Sequence, residues 1–179
     1  MTGPTDAIEL DETVTTRVDR EVDSGSSSAG GCGASRSATP VDHVCGYTVG
    51  NDVSARDIQS SESQWVRGKS FDTFCPLGPV VVTADELDGP QRLRLRTLVN
   101  GEVMQDSSTA EMVFGVAELL WFCSRAFTLE PGDVVLRGTP WGCGEFMDPP
   151  RSLAPGDVVM SEIEGIGALH NPVMAVPPA

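Results

Sequence analysis

The chain has 179 residues, 40% of them hydrophobic, enough for one domain with a full core. Twelve basic against twenty-six acidic residues give a formal charge of −14, which excludes nucleic acid and anionic membrane surfaces as natural partners. No apolar run is long enough to span a bilayer.

Five scattered cysteines (Cys32, Cys45, Cys75, Cys123, Cys143) argue for reduced buried thiols rather than a zinc site or disulfides. The acidic start, residues 1–12, lacks a basic-then-apolar leader pattern, so a cytoplasmic location is expected. In chain order, 7–10 and 14–18 alternate as short strands. In Asp19-Arg20-Glu21-Val22-Asp23 the acids at 21 and 23 would face one way on a strand, a pattern that by itself describes a solvated strand face. Residues 24–37 are Gly/Ser-rich without an apolar period and read as a flexible linker. Tyr47 to Val49 form a buried strand that delivers Asn51 and Asp52 to the point where a helical turn begins. Asp52, Arg56 and Gln59 are spaced by four and three, so a helix would put them on one face, with Lys69 arriving from the next segment. Spacing alone leaves open an Asp N-cap with an Asp/Arg surface pair.

Beyond this stretch, 75–79 make a turn and Val80-Val81-Val82-Thr83 a buried strand. Residues 93–99 alternate, and Asn100-Gly101 turns them into a hairpin with 102–105. Ser108-Thr109-Ala110-Glu111 has capping-box spacing and opens one substantial helix, about 110–126. Its apolar side carries Met112, Val113, Val116, Ala117, Leu120 and Trp121, read as core. Pro131-Gly132 and Pro155-Gly156 set type II turns before valine strands, leaving Asp133 and Asp157 as turn residues rather than catalysts. Residues 162–169 alternate with Glu162 and Glu164 toward solvent, and 175–179 form a loose tail. The whole predicts a mainly β, α+β domain.

Gly46-Tyr47-Thr48-Val49-Gly50-Asn51-Asp52-Val53-Ser54-Ala55-Arg56-Asp57, followed by Arg67-Gly68-Lys69-Ser70-Phe71-Asp72-Thr73-Phe74-Cys75-Pro76-Leu77-Gly78-Pro79, resembles the core signature of the fumarylacetoacetate hydrolase family. The likeness continues through Asn100-Gly101-Glu102, Leu129-Glu130-Pro131-Gly132-Asp133-Val134, Gly138-Thr139-Pro140-Trp141-Gly142 and Glu162-Ile163-Glu164-Gly165-Ile166-Gly167, covering about 41–174. It implies the family's mixed β-sandwich roll with one main helix, as a homodimer. It also implies Mg²⁺ held by Glu21, Asp23 and Asp52, with Mn²⁺ or Ca²⁺ as alternatives. Lys69 and Arg56 are then the catalytic residues, and Gln59, Thr139 and Thr73 bind substrate. The implied substrate is a small 2-oxo or diketo acid, or a 2-hydroxy-dienoic dicarboxylate from aromatic-compound catabolism. It would react through an enolate by C–C hydrolysis, decarboxylation or isomerisation.

The departures from the family pattern are specific. Asp23 stands where relatives carry a second glutamate. Relatives also begin upstream of Met1 and carry there a His/Glu pair, whereas His43 and His170 align with non-catalytic positions. Residues 1–23 thus form an N-terminal remnant bearing the candidate ligand strand, and 24–40 an atypical segment in place of a buried apolar strand. Compensating one-base shifts near codons 23 and 40 would account for altered composition at unchanged length: read one frame over, 24–31 decode as Leu-Gly-Val-Val-Val-Gly-Arg-Arg. Resequencing the gene tests this. The rival to an active enzyme is a catalytically silent family remnant.

Overall fold

The computed structural model describes residues 1–28 and 40–176. The chain runs through β1 (Ile8–Leu10), β2 (Val18–Asp19), β3 (Val22–Ser28), β4 (Val44–Asn51) and β5 (Ser54–Ala55) into two short helices, α1 (Arg56–Ser61) and α2 (Val66–Lys69). It continues with β6 (Leu77–Thr83), β7 (Arg94–Val99), β8 (Glu102–Ser108), α3 (Val116–Ser124), β9 (Val134–Leu136), β10 (Val158–Ile163) and β11 (Gly167–Ala175). The strands form a five-stranded sheet, β1-β11-β10-β7-β8, a four-stranded sheet, β6-β4-β3-β9, and a two-stranded ribbon, β2-β5. This is the mainly β, α+β architecture the alternation predicts.

The two larger sheets share a core. Val22, Val44, Tyr47 and Val49 of one pack with Leu95, Ile163 and Leu169 of the other, and Val116 and Leu120 of α3 join them. A second cluster, including Ile8, Val18, Val53, Ile58, Phe74, Val99 and Val173, ties the ribbon and α1 to the five-stranded sheet. The turns follow their residues. Asn100 and Gly101 have φ of 53° and 83°, the left-handed pair of a type I′ hairpin. Asp133 and Asp157 each accept a backbone N–H three residues back, from Glu130 and Ala154, and so are turn residues as expected.

Several expectations are corrected. The helix predicted from 110 starts only at Val116. Thr109 is pinned to the start of β7, its hydroxyl accepting the Leu93 N–H at 2.9 Å and donating to Pro90 O at 2.9 Å. Ser108 therefore caps a single 3₁₀ turn, Thr109–Glu111. Val116 and Leu120 are core, but Val113 is 88% exposed and Trp121 half-exposed. Residues 14–17 are not a strand, because Val14 and Thr15 both donate to Asp11 O in a tight turn. Val80 and Val81 are half-exposed, since β6 is the edge of its sheet. The loose tail begins later than 175: Ala175 ends β11 and the Val176 N–H reaches Leu10 O, while 177–179 lie outside the described residues.

The expected linker is corrected most sharply. Residues 24–28 continue β3, hydrogen-bonded to β4 on one side and β9 on the other; the rest of that segment, 29–39, lies outside the described residues. Ladder bonds on both edges hold a Gly/Ser sequence that has little strand preference of its own. The composition leaves a defect. Ser26, opposite Tyr47 and Val135, is 2% exposed and its Oγ has no partner. Ser26→Val removes the orphan hydroxyl and fills the site with a β-branched group, so a stabilisation of about 1–3 kcal/mol is expected. Urea unfolding checks it; an unchanged or lowered midpoint would contradict the account.

Candidate active site

The end of β4 and the start of β3 are laced together. The Asp52 N–H donates to Glu21 O at 2.9 Å, and Asn51 Oδ1 accepts the Glu21 N–H at 3.0 Å. Two carboxylates are thereby held side by side where the strands stop. Arg56, heading α1, donates Nη2 to Glu21 Oε1 at 2.6 Å and Nη1 to Gln59 Oε1 at 3.0 Å. Lys69, ending α2, donates Nζ to Glu21 Oε2 at 3.0 Å and to Asp52 Oδ2 at 2.5 Å. Gly68 lets α2 approach this closely, because a Cβ there would sit 3.2 Å from Ala55 O and Gln59 N. The expected shared helix face is half right. Arg56 and Gln59 do meet, but Asp52 lies before α1, whose N-cap is Ala55, so Asp52 joins them through Glu21 and Lys69.

Burial raises the Asp52 pKa above the usual carboxylate range, against the pull of Lys69. For Lys69, burial lowers the pKa but Asp52 and Glu21 more than offset it, so the ammonium is held charged. Arg56 is likewise raised against burial, by Glu21 and Asp19.

Beneath this group lies Asp19, 1% exposed. Oδ1 accepts from Arg20 N and Nη1 and from the Gly144 N–H, at 2.8–3.0 Å. Oδ2 accepts from Arg56 Nε and Nη2 and from the Glu145 N–H, at 2.8–3.0 Å. Asp19 thus fixes the Arg56 guanidinium from behind. Gly144 has no room for a side chain: a Cβ would fall 1.9 Å from Arg151 O and 2.1 Å from Arg20 Nη1.

Asp23, on β3, faces a different partner. Its oxygens accept the Arg137 N–H at 2.7 Å and the Gly138 N–H at 2.8 Å. Burial pushes its pKa up to about 7, the two amides working against the shift. A carboxyl with folded pKa about 7 and unfolded value 3.8 favours the folded state when protonated. Its stabilising contribution is full below about pH 4 and is lost as the pH rises through about 7. The metal-free chain is therefore expected to lose up to roughly 4 kcal/mol through this group between pH 4 and 8. Asp23→Asn should flatten the curve of urea midpoint against pH, and an unchanged slope would count against it.

The loop after Asp23's amides carries Thr139. Its Oγ1 accepts from Gln105 Nε2 at 2.9 Å, and it lines a cavity of about 440 Å³ shared with Asp23, Ser24, Arg137, Phe114 and Trp141. Of the residues expected at the site, Glu21, Asp52, Arg56, Gln59 and Lys69 form one hydrogen-bonded group. Asp23 and Thr139 sit together on the adjoining cavity wall. Thr73 is placed elsewhere: its Oγ1 accepts the Glu9 N–H at 3.0 Å, tying the 71–74 turn to β1. Among the described residues no three ligand-type side chains are gathered to hold a metal ion as they stand; Lys69 occupies the space between Glu21 and Asp52. Sequence reasoning missed Asp19, whose signal was its two-residue spacing from Glu21, and Gln105, which had none.

The family model for the C-terminal domain of fumarylacetoacetate (FAA) hydrolase matches residues 1–174, reaching further upstream than the expected 41–174. The chain is 52% identical to a mitochondrial oxaloacetate tautomerase of Xenopus laevis over 136 residues, 75% of this chain and 43% of that protein. It is 45% identical to an oxaloacetate tautomerase of Bacillus subtilis over 132 residues, 74% of this chain and 44% of that protein. Among solved structures, a fumarylacetoacetate hydrolase from Exiguobacterium antarcticum superposes with TM-score 0.92 at 45% identity, covering 97% of this chain and 62% of that one. A 2-hydroxyhepta-2,4-diene-1,7-dioate isomerase from Mycobacterium marinum superposes with TM-score 0.86 at 41% identity, covering 98% and 66%. The chain thus spans less than half the length of these curated relatives.

Proposed function

The chain belongs to the fumarylacetoacetate hydrolase family, and from that premise we propose that it is the cation- and substrate-binding core of an enzyme acting on small 2-oxo acids through an enolate. Tautomerisation of oxaloacetate or of a related dicarboxylate, or hydrolytic cleavage of a diketo acid, is the reaction class. The observation that carries the reading is the pair Glu21 and Asp52, whose carboxylates converge on one positive charge, the Lys69 ammonium. An all-carboxylate donor set that already shares a cation suits a hard divalent ion such as Mg²⁺. Glu21 and Asp52 would hold it, with Asp23, two residues beyond Glu21, as the third candidate ligand; Mn²⁺ and Ca²⁺ suit the same donors. When bound, such an ion acts as a Lewis acid on the oxygen where negative charge gathers.

The chain's own groups define the rest. Lys69, held protonated by two carboxylates, supplies positive charge beside the developing enolate rather than removing a proton. Arg56 is fixed by Asp19 and Glu21, and Gln59 is oriented through Arg56; both present polar atoms to the substrate. Thr139 holds a substrate carboxylate from the cavity wall. The half-exposed apolar side chains of β6 and α3, Val80, Val81 and Trp121 among them, support pairing with a second copy of the chain.

The test is turnover of oxaloacetate or an acylpyruvate by the purified chain in excess Mg²⁺, followed through the enol absorbance. Activity lost in Asp52→Ala is the expected result. No turnover of any 2-oxo acid would favour a chain that folds without catalysing, a reading supported by the way Asp23 is turned toward the Arg137 and Gly138 amides.

A further inference from the structure

Gln105 sits on β8 with 0% exposure, and its amide joins three segments. Oε1 accepts the Val22 N–H at 3.2 Å and the Thr97 hydroxyl at 2.8 Å; Nε2 donates to Pro140 O at 3.0 Å and to Thr139 Oγ1 at 2.9 Å. The orientation of the amide is determined by its neighbours. A backbone N–H such as that of Val22 can only donate, and a carbonyl such as that of Pro140 can only accept, so the oxygen must face β3 and the NH₂ must face the loop.

A consequence follows at Thr139. Its Oγ1 is committed as an acceptor, so the hydroxyl hydrogen points elsewhere, and among the described residues no acceptor takes it. The Thr139 N–H likewise has no acceptor there. One residue of the cavity wall thus keeps two donors without an acceptor among the described residues, a pair that a carboxylate can accept from. The geometry assigns Gln105 as the positioning residue that sets the polarity of the Thr139 hydroxyl, making it a donor to a substrate carboxylate, and that locks this loop to β3 at Val22, between Glu21 and Asp23. The inference rests on the reading of Thr139 given above.

Gln105→Glu tests it while keeping the side chain's shape. When ionised, the introduced carboxylate presents an acceptor to Thr139, whose hydroxyl then donates inward and is lost to the ligand; when protonated, its single O–H can still donate to Thr139 Oγ1, giving up the bond to Pro140 O. The readout is the Kd of oxalate in excess Mg²⁺, by calorimetry at pH 6 and pH 9, for the full chain. Relative to the unaltered chain, Gln105→Glu is expected to bind oxalate near-normally at pH 6 and about tenfold more weakly at pH 9. In a Thr139→Val background it should add less than about twofold at either pH, because the group it acts through is gone. A similar weakening in both backgrounds, or one independent of pH, would mean that Gln105 merely supports the fold and would overturn the assignment. If Thr139→Val weakens binding but Gln105→Glu does not, the role of Gln105 falls alone; if Thr139→Val leaves the Kd unchanged, the reading of Thr139 falls with it. Should Gln105→Glu fail to fold, Gln105→Met removes the same donor without charge, and its effect must be coupled to Thr139→Val in the same way.

Discussion

Asp19→Ala is expected to lower folding stability by about 3–5 kcal/mol, the range for breaking a buried ion pair from one side. The carboxylate is 1% exposed and takes hydrogen bonds from two guanidinium groups and three backbone amides. Its removal leaves the Arg20 guanidinium, itself 1% exposed, without its ion-pair partner. Burial already lowers the Arg20 pKa, and Asp19 is the main counterweight. The amides of Gly144 and Glu145 lose their acceptor together, so the 144–146 turn should loosen as well. For a chain of this size the loss corresponds to a fall in Tm on the order of 10 °C. Urea unfolding of the purified variant measures it. A change within about 1 kcal/mol would show that water replaces the carboxylate and that the site is less closed than the burial indicates. Asp19→Asn separates charge from shape: it retains oxygen and size but turns a donor toward arginine, and should recover little.

Lys69→Met is expected to change two readouts in opposite directions, tightening Mg²⁺ binding roughly tenfold while lowering turnover by roughly 10²–10³. The ammonium lies between Glu21 and Asp52 at 3.0 and 2.5 Å, so in the metal-free chain it competes for the oxygens a divalent ion needs. Methionine keeps the length of the side chain and removes the competitor. Arg56 remains on Glu21 Oε1, and Asp52, which loses its ion-pair partner, has a side chain 21% exposed to water, so the fold should hold. Turnover falls because the enolate loses the positive charge beside it. Calorimetric titration with Mg²⁺ and a 2-oxo acid assay give the two numbers. Loss of both metal binding and turnover would mean that Lys69 organises the carboxylates rather than competing for them, and would count against the proposed cation position.

Most of the site was legible in local sequence because its parts are local devices. The strand Tyr47 to Val49 ends where an apolar run ends, Asn100-Gly101 turns because both residues tolerate positive φ, and Asp52, Arg56, Gln59 and Lys69 lie within eighteen residues of one another. The resemblance added Glu21, Asp23 and Thr139 from distant parts of the chain, and the structure places the first of these against Arg56 and Lys69.

Local residue order therefore accounts for the alternation that makes strands, the turns that reverse them and the cluster of charged residues after β4. The tertiary structure decided the rest, and in each case a partner far along the chain outweighed a local preference. Thr109 delays the helix because Leu93 and Pro90 claim its hydroxyl. Residues 24–28 are a strand because β4 and β9 supply ladder bonds on both sides. Asp19 and Gln105, ordinary polar residues in isolation, become the supports of Arg56 and Thr139 once folding removes water and leaves their hydrogen bonds no other partner.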